Sequence, residues 1–299
     1  MFPIAFHPIY KHPLPAGHRF PMLKYELLPQ QLLLEGIATA NDFFEPEICD
    51  LNSVLAVHDL DYVNQLLSLS LDPKDARKIG FPLSKELIER ELRIANGTIE
   101  GCKKAFTTSL SFNIAGGTHH AFSNRGEAFC MLNDQAIAAQ FLLDNKLATK
   151  ILIVDLDVHQ GNGTAEIFRN NNKVFTFSMH GKSNYPFKKE WSDLDIPLPD
   201  FTIDSTYLSI LFDVLPNLIN AEKPDFIFYL AGVDILETDK LGKLSCTLEG
   251  CKKRDEMVLE IAKKLQIPIQ VSMGGGYSPE IKTIIEAHTN TYRVATSIF

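Results

Sequence analysis

The sequence predicts an α/β fold: a single-domain, open and mostly parallel β-sheet with helices on both faces. From residue 110 onward, strand-like runs alternate with helix-like segments. The runs 151–154 and 226–230 are continuously apolar, which is typical of parallel strands that are buried on both faces. Glycines and reactive side chains follow several of these runs, at the carboxyl strand ends where open α/β sheets bind ligands.

The N-terminal third of the chain is less regular. The first 25 residues are rich in Pro, His and aromatic residues and predict irregular structure. Apolar residues at helical spacing then predict helices over 25–34, over 57–67 with Asp59 as its cap, and over 84–106 with Ser84 as its cap.

The rest of the chain alternates between strands and helices. Strands are predicted over 110–114, 151–156, 174–178, 226–230 and 267–272. Helices are predicted over 133–143, 164–168, 205–219, 249–265 and 279–288. Because no repeat, low-complexity tract or linker stands out, we expect residues 1–299 to form one domain.

Composition excludes several classes of protein. The net charge of −8 argues against a nucleic-acid groove, which needs a basic face. Five cysteines without a CxxC pair favour reduced thiols and a cytoplasmic location over a disulfide framework. We expect neither a signal peptide nor a membrane span, because the chain has no basic segment leading into a long apolar one and no run of 18 apolar residues.

The most informative segment follows the apolar run 151–154. Asp155, Asp157 and His159 alternate there and are followed by Gly-Asn-Gly. In an extended chain, residues two and four apart point to the same face, so the three side chains would converge. Carboxylate oxygen and imidazole nitrogen are ligands for zinc, and also for iron or manganese. A solvated acidic loop is the alternative, but such loops rarely place a histidine at the same spacing after a buried strand.

Three other predicted strand ends carry reactive side chains. His119 and His120 follow two glycines, an arrangement that favours catalysis over packing. Asp234 could cap a helix or form a buried ion pair, yet its position after an apolar strand favours a third metal ligand. Tyr277 follows three glycines; it could simply cover a turn, or the glycines could bring its phenol close to the metal.

Taken together, these motifs resemble the zinc-dependent histone deacetylase family over nearly the whole chain, and its class IV branch best. The resemblance implies an arginase/deacetylase-like fold. The resemblance is carried by the segments 116–120, 125–130, 155–163, 231–237, 239–245 and 274–277. Asp-Ile-Leu-Glu at 234–237 and Asp-Lys-Leu-Gly-Lys-Leu-Ser at 239–245 point to class IV, and Gly-His-Arg-Phe-Pro-Met at 17–22 is similar to bacterial relatives.

The resemblance implies a zinc-dependent amidohydrolase that removes an acetyl or longer fatty acyl group from the Nε of lysine, in a protein or peptide, or from a lysine-like amine. Class IV resemblance suggests long fatty acyl groups. One Zn²⁺ per chain would be held by Asp157, His159 and Asp234. Zinc lowers the pKa of bound water to about 7.

The same resemblance implies five catalytic roles. His120 matches the general base and later acid, and His119 matches its charged partner, which stabilises the developing oxyanion. Asp155 matches the carboxylate that hydrogen-bonds His119. Tyr277 matches the phenol that donates to the oxyanion. Asn162 stands where some branches carry Asp, so it can orient His120 without raising its pKa by charge.

Two further sites follow from the resemblance alone. The acyl-lysine channel is implied to be lined by Phe129, Tyr185, Leu241, Gly275 and Gly276. A structural K⁺ or Na⁺ ion is implied to lie against Asp155, Asp157, His159, Ser178 and Met179. Charge at that position would tune the pKa of His119.

Several alternatives compete with this interpretation. Arginase-type ureohydrolases share the fold but need a bridging carboxylate two positions after His159, where this chain has Gly161. A non-catalytic acyl-lysine-binding protein should have lost a metal ligand, a histidine or the tyrosine, and all are present. Acylated polyamines or small metabolites remain alternative substrates.

Overall fold

A parallel sheet organises the computed structural model of the chain, which describes residues 2–299. The strands are β1 (Ile4–Ala5), β2 (Phe43–Phe44), β3 (Leu110–Asn113), β4 (Ile151–Asp155), β5 (Val174–Gly181), β6 (Leu194–Leu198), β7 (Phe226–Leu230) and β8 (Ile269–Ser272). Across residues 2–299 they form one eight-stranded sheet in the order β2-β1-β3-β8-β7-β4-β5-β6, and all neighbours are parallel.

Helices connect the strands. The α-helices are α1 (Lys24–Leu34), α2 (Leu51–Leu55), α3 (Leu60–Leu67), α4 (Pro73–Ile79), α5 (Lys85–Thr108), α6 (Asp134–Asp144), α7 (Asn162–Phe168), α8 (Asp204–Glu222), α9 (Leu248–Leu265) and α10 (Ile281–Ile298). Helix α5 packs on β3, β8 and α6, whereas α9 packs on α8 and α10, and α10 on α1. Among residues 2–299, no helix is both long and apolar enough to cross a membrane.

The central strands are buried along their whole length. Every residue of β3, β4, β7 and β8 is buried, which requires helices on both faces of the sheet. Strand β6 at the edge is mostly half-exposed. The α/β fold class predicted from the sequence is therefore confirmed.

The strand register aligns the carboxyl ends of four neighbouring strands. Asn113 of β3 lies beside Ser272 of β8, which pairs with Leu230 of β7, and Leu230 pairs with Asp155 of β4. These four strands are neighbours in the sheet. The loops that follow them therefore start side by side, as expected for the ligand-binding edge of an open α/β sheet.

The predicted elements differ from the structure mainly at the edges. The first 25 residues are not wholly irregular, because they contain β1 and a 3₁₀ helix at Pro8–Tyr10. Strands β2 and β6 and helices α2 and α4 were not predicted. Strands of two residues are too short to give an alternating pattern, and β6 contains Asp and Pro, which are rare in strands.

Helices α3 and α10 are among the predicted helices whose bounds differ in the structure. Helix α3 begins at Leu60 rather than at residue 57, and Asp59 occupies its N-cap position without a side-chain hydrogen bond. The closing helix α10 continues to Ile298, beyond the predicted end at 288. The Ser84 cap is confirmed, because its hydroxyl accepts a hydrogen bond from Leu87 N at 3.1 Å.

Candidate active site

Three buried side chains converge beyond the ends of β4 and β7. Asp157 and His159 follow β4, and Asp234 follows β7. Each offers one ligand atom, and these atoms all lie within 4.8 Å of one another. Two carboxylates and one imidazole form a donor set that suits zinc and leaves coordination positions open for other ligands.

Local turns produce this convergence, and the alternation of an extended strand does not. Strand β4 ends at Asp155, and the chain bends at 157–159. Asp157 N donates to Asp155 Oδ1 at 3.1 Å, and His159 N donates to Asp157 Oδ1 at 3.0 Å. Such bonds from an Asp to the backbone two residues on stabilise tight turns. The sequence analysis expected Asp155, Asp157 and His159 to converge through strand alternation. In the structure these turns bring Asp157 and His159 together with Asp234, whereas Asp155 contacts His119.

The electrostatics of the cluster favour a cation. Burial alone would lower the pKa of His159, but hydrogen bonds to Asp157 and Asp234 outweigh it and raise the pKa to about 10. Burial and the neighbouring Asp157 carboxylate raise the pKa of Asp234 to about 7. Buried carboxylates need a compensating positive charge. The residues present therefore fit a divalent metal ion.

The glycine turn after β8 closes over the cluster. Gly275 N donates to Asp157 Oδ2 at 2.8 Å. A Cβ on Gly275 would collide with Asp234 Oδ2 and lie 2.8 Å from Asp157 Oδ2. Only glycine therefore lets the backbone approach both carboxylates this closely.

His119 is bound to a carboxylate. Its Nδ1 lies 2.7 Å from Asp155 Oδ2, and both side chains are buried. Burial alone would lower the pKa of His119, but the charge and hydrogen bond of Asp155 outweigh it, so the pKa is raised. The arrangement favours an imidazolium at this position.

His120 is bound to an amide instead. Its Nδ1 lies 2.6 Å from Asn162 Oδ1. Burial, followed by the charges of His119 and His159, holds the pKa of His120 well below its usual range. The ring of Tyr185 meets that of His120 edge-on, with centroids 5.0 Å apart. Two adjacent histidines therefore have opposite charge preferences.

Tyr277 is fixed through its backbone. Tyr277 N donates to Asp239 Oδ2 at 2.6 Å, and the other oxygen of Asp239 accepts from Leu241 N and Gly242 N at 2.8 Å each. Burial, followed by the charges of Asp234 and Asp157, raises the pKa of the Tyr277 phenol. The phenol therefore keeps its proton and can act as a hydrogen-bond donor.

A buried lysine lies behind the glycine turn. Lys24 is only 1% exposed, and its Nζ donates to Gly274 O at 2.9 Å. The ammonium lies between 5.3 and 5.9 Å from the ring centroids of Phe20, Tyr25 and Tyr277. Burial lowers the pKa of Lys24 to about 8, although the charge of Asp234 opposes this.

These groups line one cavity of about 640 Å³. Its walls include Phe129, Tyr185, Leu241 and Gly275, together with the two histidines, Tyr277 and the three candidate metal ligands. Gly276 departs from the expectation for the channel. A Cβ on Gly276 would face Val233 and Ile284, so it lies beneath the turn.

Aromatic packing builds one wall of the cavity. The Phe129 ring lies 5.1 Å from the rings of Phe20 and Phe81, and 6.2 Å from that of Tyr277. Ala128 and Phe129 have positive φ angles of 45° and 69°. A bulky residue in this conformation is strained, and such strain clusters at binding sites.

Ser178 and Met179 lie on β5, which pairs with β4. Ser178 pairs with Asp155 across β4 and β5, and its Oγ lies 3.0 Å from His180 Nδ1. Met179 is buried. The monovalent-cation site stays a prediction.

Three residues with supporting positions were not identified from the sequence. Lys24 and Asp239 contact the glycine turn, and Arg254 Nη1 donates to Leu156 O and Gly232 O, next to the candidate ligands. Asp239, followed three positions on by Gly242, carried a detectable turn signal. Lys24 and Arg254 lie on helices α1 and α9, and long basic side chains usually keep their charged ends in solvent.

Comparison with known proteins identifies one family. Residues 18–292 match the family described as the histone deacetylase domain. An uncharacterized protein of Picosynechococcus sp. is 43% identical over 298 residues, covering 100% of this chain and 99% of that protein.

More distant relatives have names that describe their roles. Histone deacetylase 2 of Arabidopsis thaliana is 27% identical over 277 residues, covering 90% of this chain and 72% of that protein. Acetoin utilization protein AcuC of Staphylococcus aureus is 26% identical over 281 residues, covering 87% and 72%. The crystal structure of the HDA15 HD domain has a TM-score of 0.81, with 21% identity, over 98% of this chain and 90% of that chain. The last likeness shows a shared fold.

Proposed function

Because the chain belongs to the histone deacetylase domain family of amide-hydrolysing enzymes, we propose that it is a zinc-dependent deacylase acting on the Nε of acylated lysine. The observation that carries the proposal is the buried Asp157, His159 and Asp234 cluster, which lies in one cavity with two histidines and a tyrosine. The buried free thiols of its cysteines support the cytoplasmic location that we propose.

The metal would be held by Asp157, His159 and Asp234. When bound, zinc lowers the pKa of a water ligand to about 7 and polarises a carbonyl oxygen. Asp155, Ser178 and Met179 would contribute to a neighbouring monovalent-cation site.

His120 would act as the general base. An amide oxygen only accepts hydrogen bonds, so the contact with Asn162 Oδ1 requires the proton on His120 Nδ1. Nε2 is then free to take a proton from the attacking water. The lowered pKa keeps His120 neutral and ready to accept that proton. The protonated ring would later give its proton to the departing amine.

His119 and Tyr277 would stabilise the tetrahedral oxyanion. The Asp155 carboxylate favours the imidazolium form of His119, which presents positive charge to the cavity. The raised pKa of Tyr277 keeps its phenol protonated as a donor. One donor of this kind is typically worth about 10²–10³ in rate.

Tyr277→Phe tests the oxyanion role. We expect turnover of an acyl-lysine peptide to fall about 10²–10³-fold, while zinc content stays at the wild-type value. Tyr207→Phe is the matched control, because Tyr207 lies on α8 and its buried hydroxyl has no hydrogen-bond partner within the part of the chain that the structure describes. Near-normal turnover in Tyr277→Phe would refute the role.

Asp157→Ala tests the ligand assignment. We expect zinc affinity to fall at least about 100-fold, because a metal ligand has a larger effect than the groups that orient it, and turnover should be lost. Zinc content by metal analysis and turnover are the two measurements. Asp213→Ala, at an exposed position of α8, is the control. A variant that retains full zinc would overturn the assignment.

A further inference from the structure

The cavity has a basic rim, defined here as Arg19, Lys78 and Lys243. We infer that the substrate is an acylated lysine that carries a carboxylate close to the scissile amide, and that acylated polyamines are disfavoured. This inference rests on the proposed function and adds the chemistry of the part of the substrate that lies outside the channel.

The lining residues are buried at one end of the cavity and exposed at the other. The histidines and the candidate metal ligands are buried, whereas the three basic-rim residues are exposed. The acyl carbonyl must reach the buried end, because the reacting groups lie there. The remainder of the acylated amine then extends past Phe129 and Tyr185 to the basic rim.

Arg19 and Lys78 lie on the Phe129 side of the rim. The Arg19 guanidinium lies 5.0 Å from the Phe129 ring centroid, and none of the ion pairs within residues 2–299 involves Arg19. The backbone carbonyl of Lys78 accepts from Ala128 N at 2.9 Å, which places Lys78 beside the same wall. Its ammonium pairs with Asp75 at 2.8 Å, but both side chains are about half exposed. Such exposed pairs are weak, so a substrate carboxylate can compete for the ammonium.

Lys243 lies near Ser183 and Leu241, which line the same cavity. Its Nζ lies 3.1 Å from Ser183 Oγ and 4.0 Å from Asp200 Oδ2. Its side chain is 49% exposed. Among residues 2–299, Lys243 therefore has no ion pair shorter than 4.0 Å, and its ammonium is available to a substrate.

Among the residues that line the cavity, Glu127 is the carboxylate outside the candidate metal ligands, and it is already engaged. Glu127 also lines the cavity, but it accepts from Arg125 Nε at 2.9 Å and from the Tyr185 hydroxyl. Asp157 and Asp234 lie at the buried end, where the metal would compensate them. The chain as a whole carries a net charge of −8, so a basic rim is not a consequence of overall composition.

This charge pattern discriminates between amines. Acylated polyamines keep further ammonium groups that would approach the basic rim, and like charges disfavour binding. A carboxylate would be attracted. It can come from two sources: the α-carboxylate of free Nε-acyl-lysine, or Asp and Glu side chains next to an acylated lysine in a peptide.

The test compares zinc-loaded protein on substrates with one acyl group. The substrates are free Nε-acetyl-lysine, acetyl-lysine peptides with Asp or with Lys on both sides, and N-acetylspermidine. Dissociation constants by calorimetry and kcat/KM are measured for each. We expect kcat/KM for the Asp peptide to exceed that for the Lys peptide at least about tenfold, because each exposed charge pair contributes a few-fold. We expect this ratio of kcat/KM values to fall as the salt concentration rises.

Two variants test whether the basic rim causes the preference for the Asp peptide. The double variant Arg19→Gln, Lys243→Gln should bring the Asp-to-Lys peptide ratio close to one, mainly through KM. Lys264→Gln, at an exposed position of α9, is the control and should keep the wild-type ratio. Free Nε-acetyl-lysine bound more tightly than the Asp peptide would identify the α-carboxylate as the source, and the reverse order would identify acidic side chains.

Two outcomes would overturn the inference. Equal kcat/KM and equal dissociation constants for the Asp and Lys peptides would overturn the inference about the basic rim and leave the proposed function intact. N-acetylspermidine bound or turned over better than the Asp peptide would do so as well. If no acetylated substrate is turned over, the dissociation constants still decide the charge preference, and the proposed function is then tested separately with peptides that carry longer acyl groups.

Discussion

At the scale of single residues, the partners of His119 and His120 decide what each histidine can do. Both rings are buried and their centroids lie 4.1 Å apart. His119 faces a carboxylate and His120 faces an amide, so the pKa of His119 is raised and that of His120 is lowered. Sequence analysis anticipated this difference from Asn162, because an amide cannot supply negative charge.

Asn162→Asp tests that difference. A carboxylate at His120 Nδ1 stabilises the imidazolium and raises the pKa of His120, so the base is protonated over a wider range of low pH. We expect the acid limb of the kcat/KM profile to move up by about one pH unit or more. The pH–rate profile measures it, and Asn162→Ser, which adds no charge, is the control. An unshifted acid limb would contradict the role of His120 as base.

Lys24→Met tests how much the buried Lys24 ammonium destabilises the folded chain. The pKa of Lys24 is lowered to about 8 in the folded chain, against about 10.4 in an unfolded one. The charged form is thus disfavoured by folding. The penalty is fully present below pH 8 and disappears as pH rises towards the unfolded value.

Allowing for the lost hydrogen bond to Gly274, we expect Lys24→Met to be more stable by roughly 1–2 kcal/mol at pH 7. The advantage should shrink between pH 8 and the unfolded pKa. Denaturant unfolding of chelator-treated protein at several pH values measures it. We also expect lower turnover, since the glycine turn loses its tether. A stability advantage over wild type that is smaller at pH 7 than at pH 10 would contradict this explanation.

At the scale of elements, the aligned carboxyl ends of β3, β8, β7 and β4 bring the residues of the site together. The register places Asn113, Ser272, Leu230 and Asp155 side by side, and the loop after each strand contributes a reactive group. Arg254 on α9 bonds the backbone of two of these loops, at Leu156 and Gly232. Strand pairing and one buried arginine therefore hold residues that are distant in sequence.

Gly275→Ala tests the close approach of the glycine turn. The new methyl group would collide with Asp234 Oδ2 and crowd Asp157 Oδ2. We expect zinc affinity and turnover to fall at least about tenfold, as for other changes that displace metal ligands, with little change in circular dichroism. Gly36→Ala is the control for replacing a glycine at a surface turn. Its Cβ would meet nothing within 4 Å among residues 2–299, although its φ of +69° adds a backbone strain that Gly275→Ala does not have. Wild-type zinc affinity in Gly275→Ala would contradict the geometry.

The sequence predicts the central elements better than the edges. Strands β4 and β7 are continuous apolar runs, and the helix after Ser84 has both a cap and an apolar stripe. Strands β1 and β2 have two residues each, and only tertiary pairing defines them. The bends after Asp155 also depend on hydrogen bonds that a periodic pattern does not encode.

At the scale of the whole molecule, fold and chemistry point to the same function. The parallel sheet places its four central strand ends at one edge, and the cavity there runs from a buried anionic cluster to an exposed basic rim. Sequence motifs predicted the reactive end because each motif is local. The basic rim could not be predicted, because Arg19, Lys78 and Lys243 are far apart in the chain and only folding brings them to one opening.

The most direct test of the central claim is turnover by zinc-loaded protein. A matched series of lysine peptides carrying acetyl, butyryl, octanoyl or myristoyl groups is incubated with wild type and with Tyr277→Phe, and the free lysine peptide is quantified by mass spectrometry. We predict release from at least one peptide by wild type and loss of that release in Tyr277→Phe. A rate that climbs with chain length would identify a fatty-acyl deacylase, and activity on acetyl alone a deacetylase. No release from any peptide, with one zinc bound per chain, would contradict the proposed function.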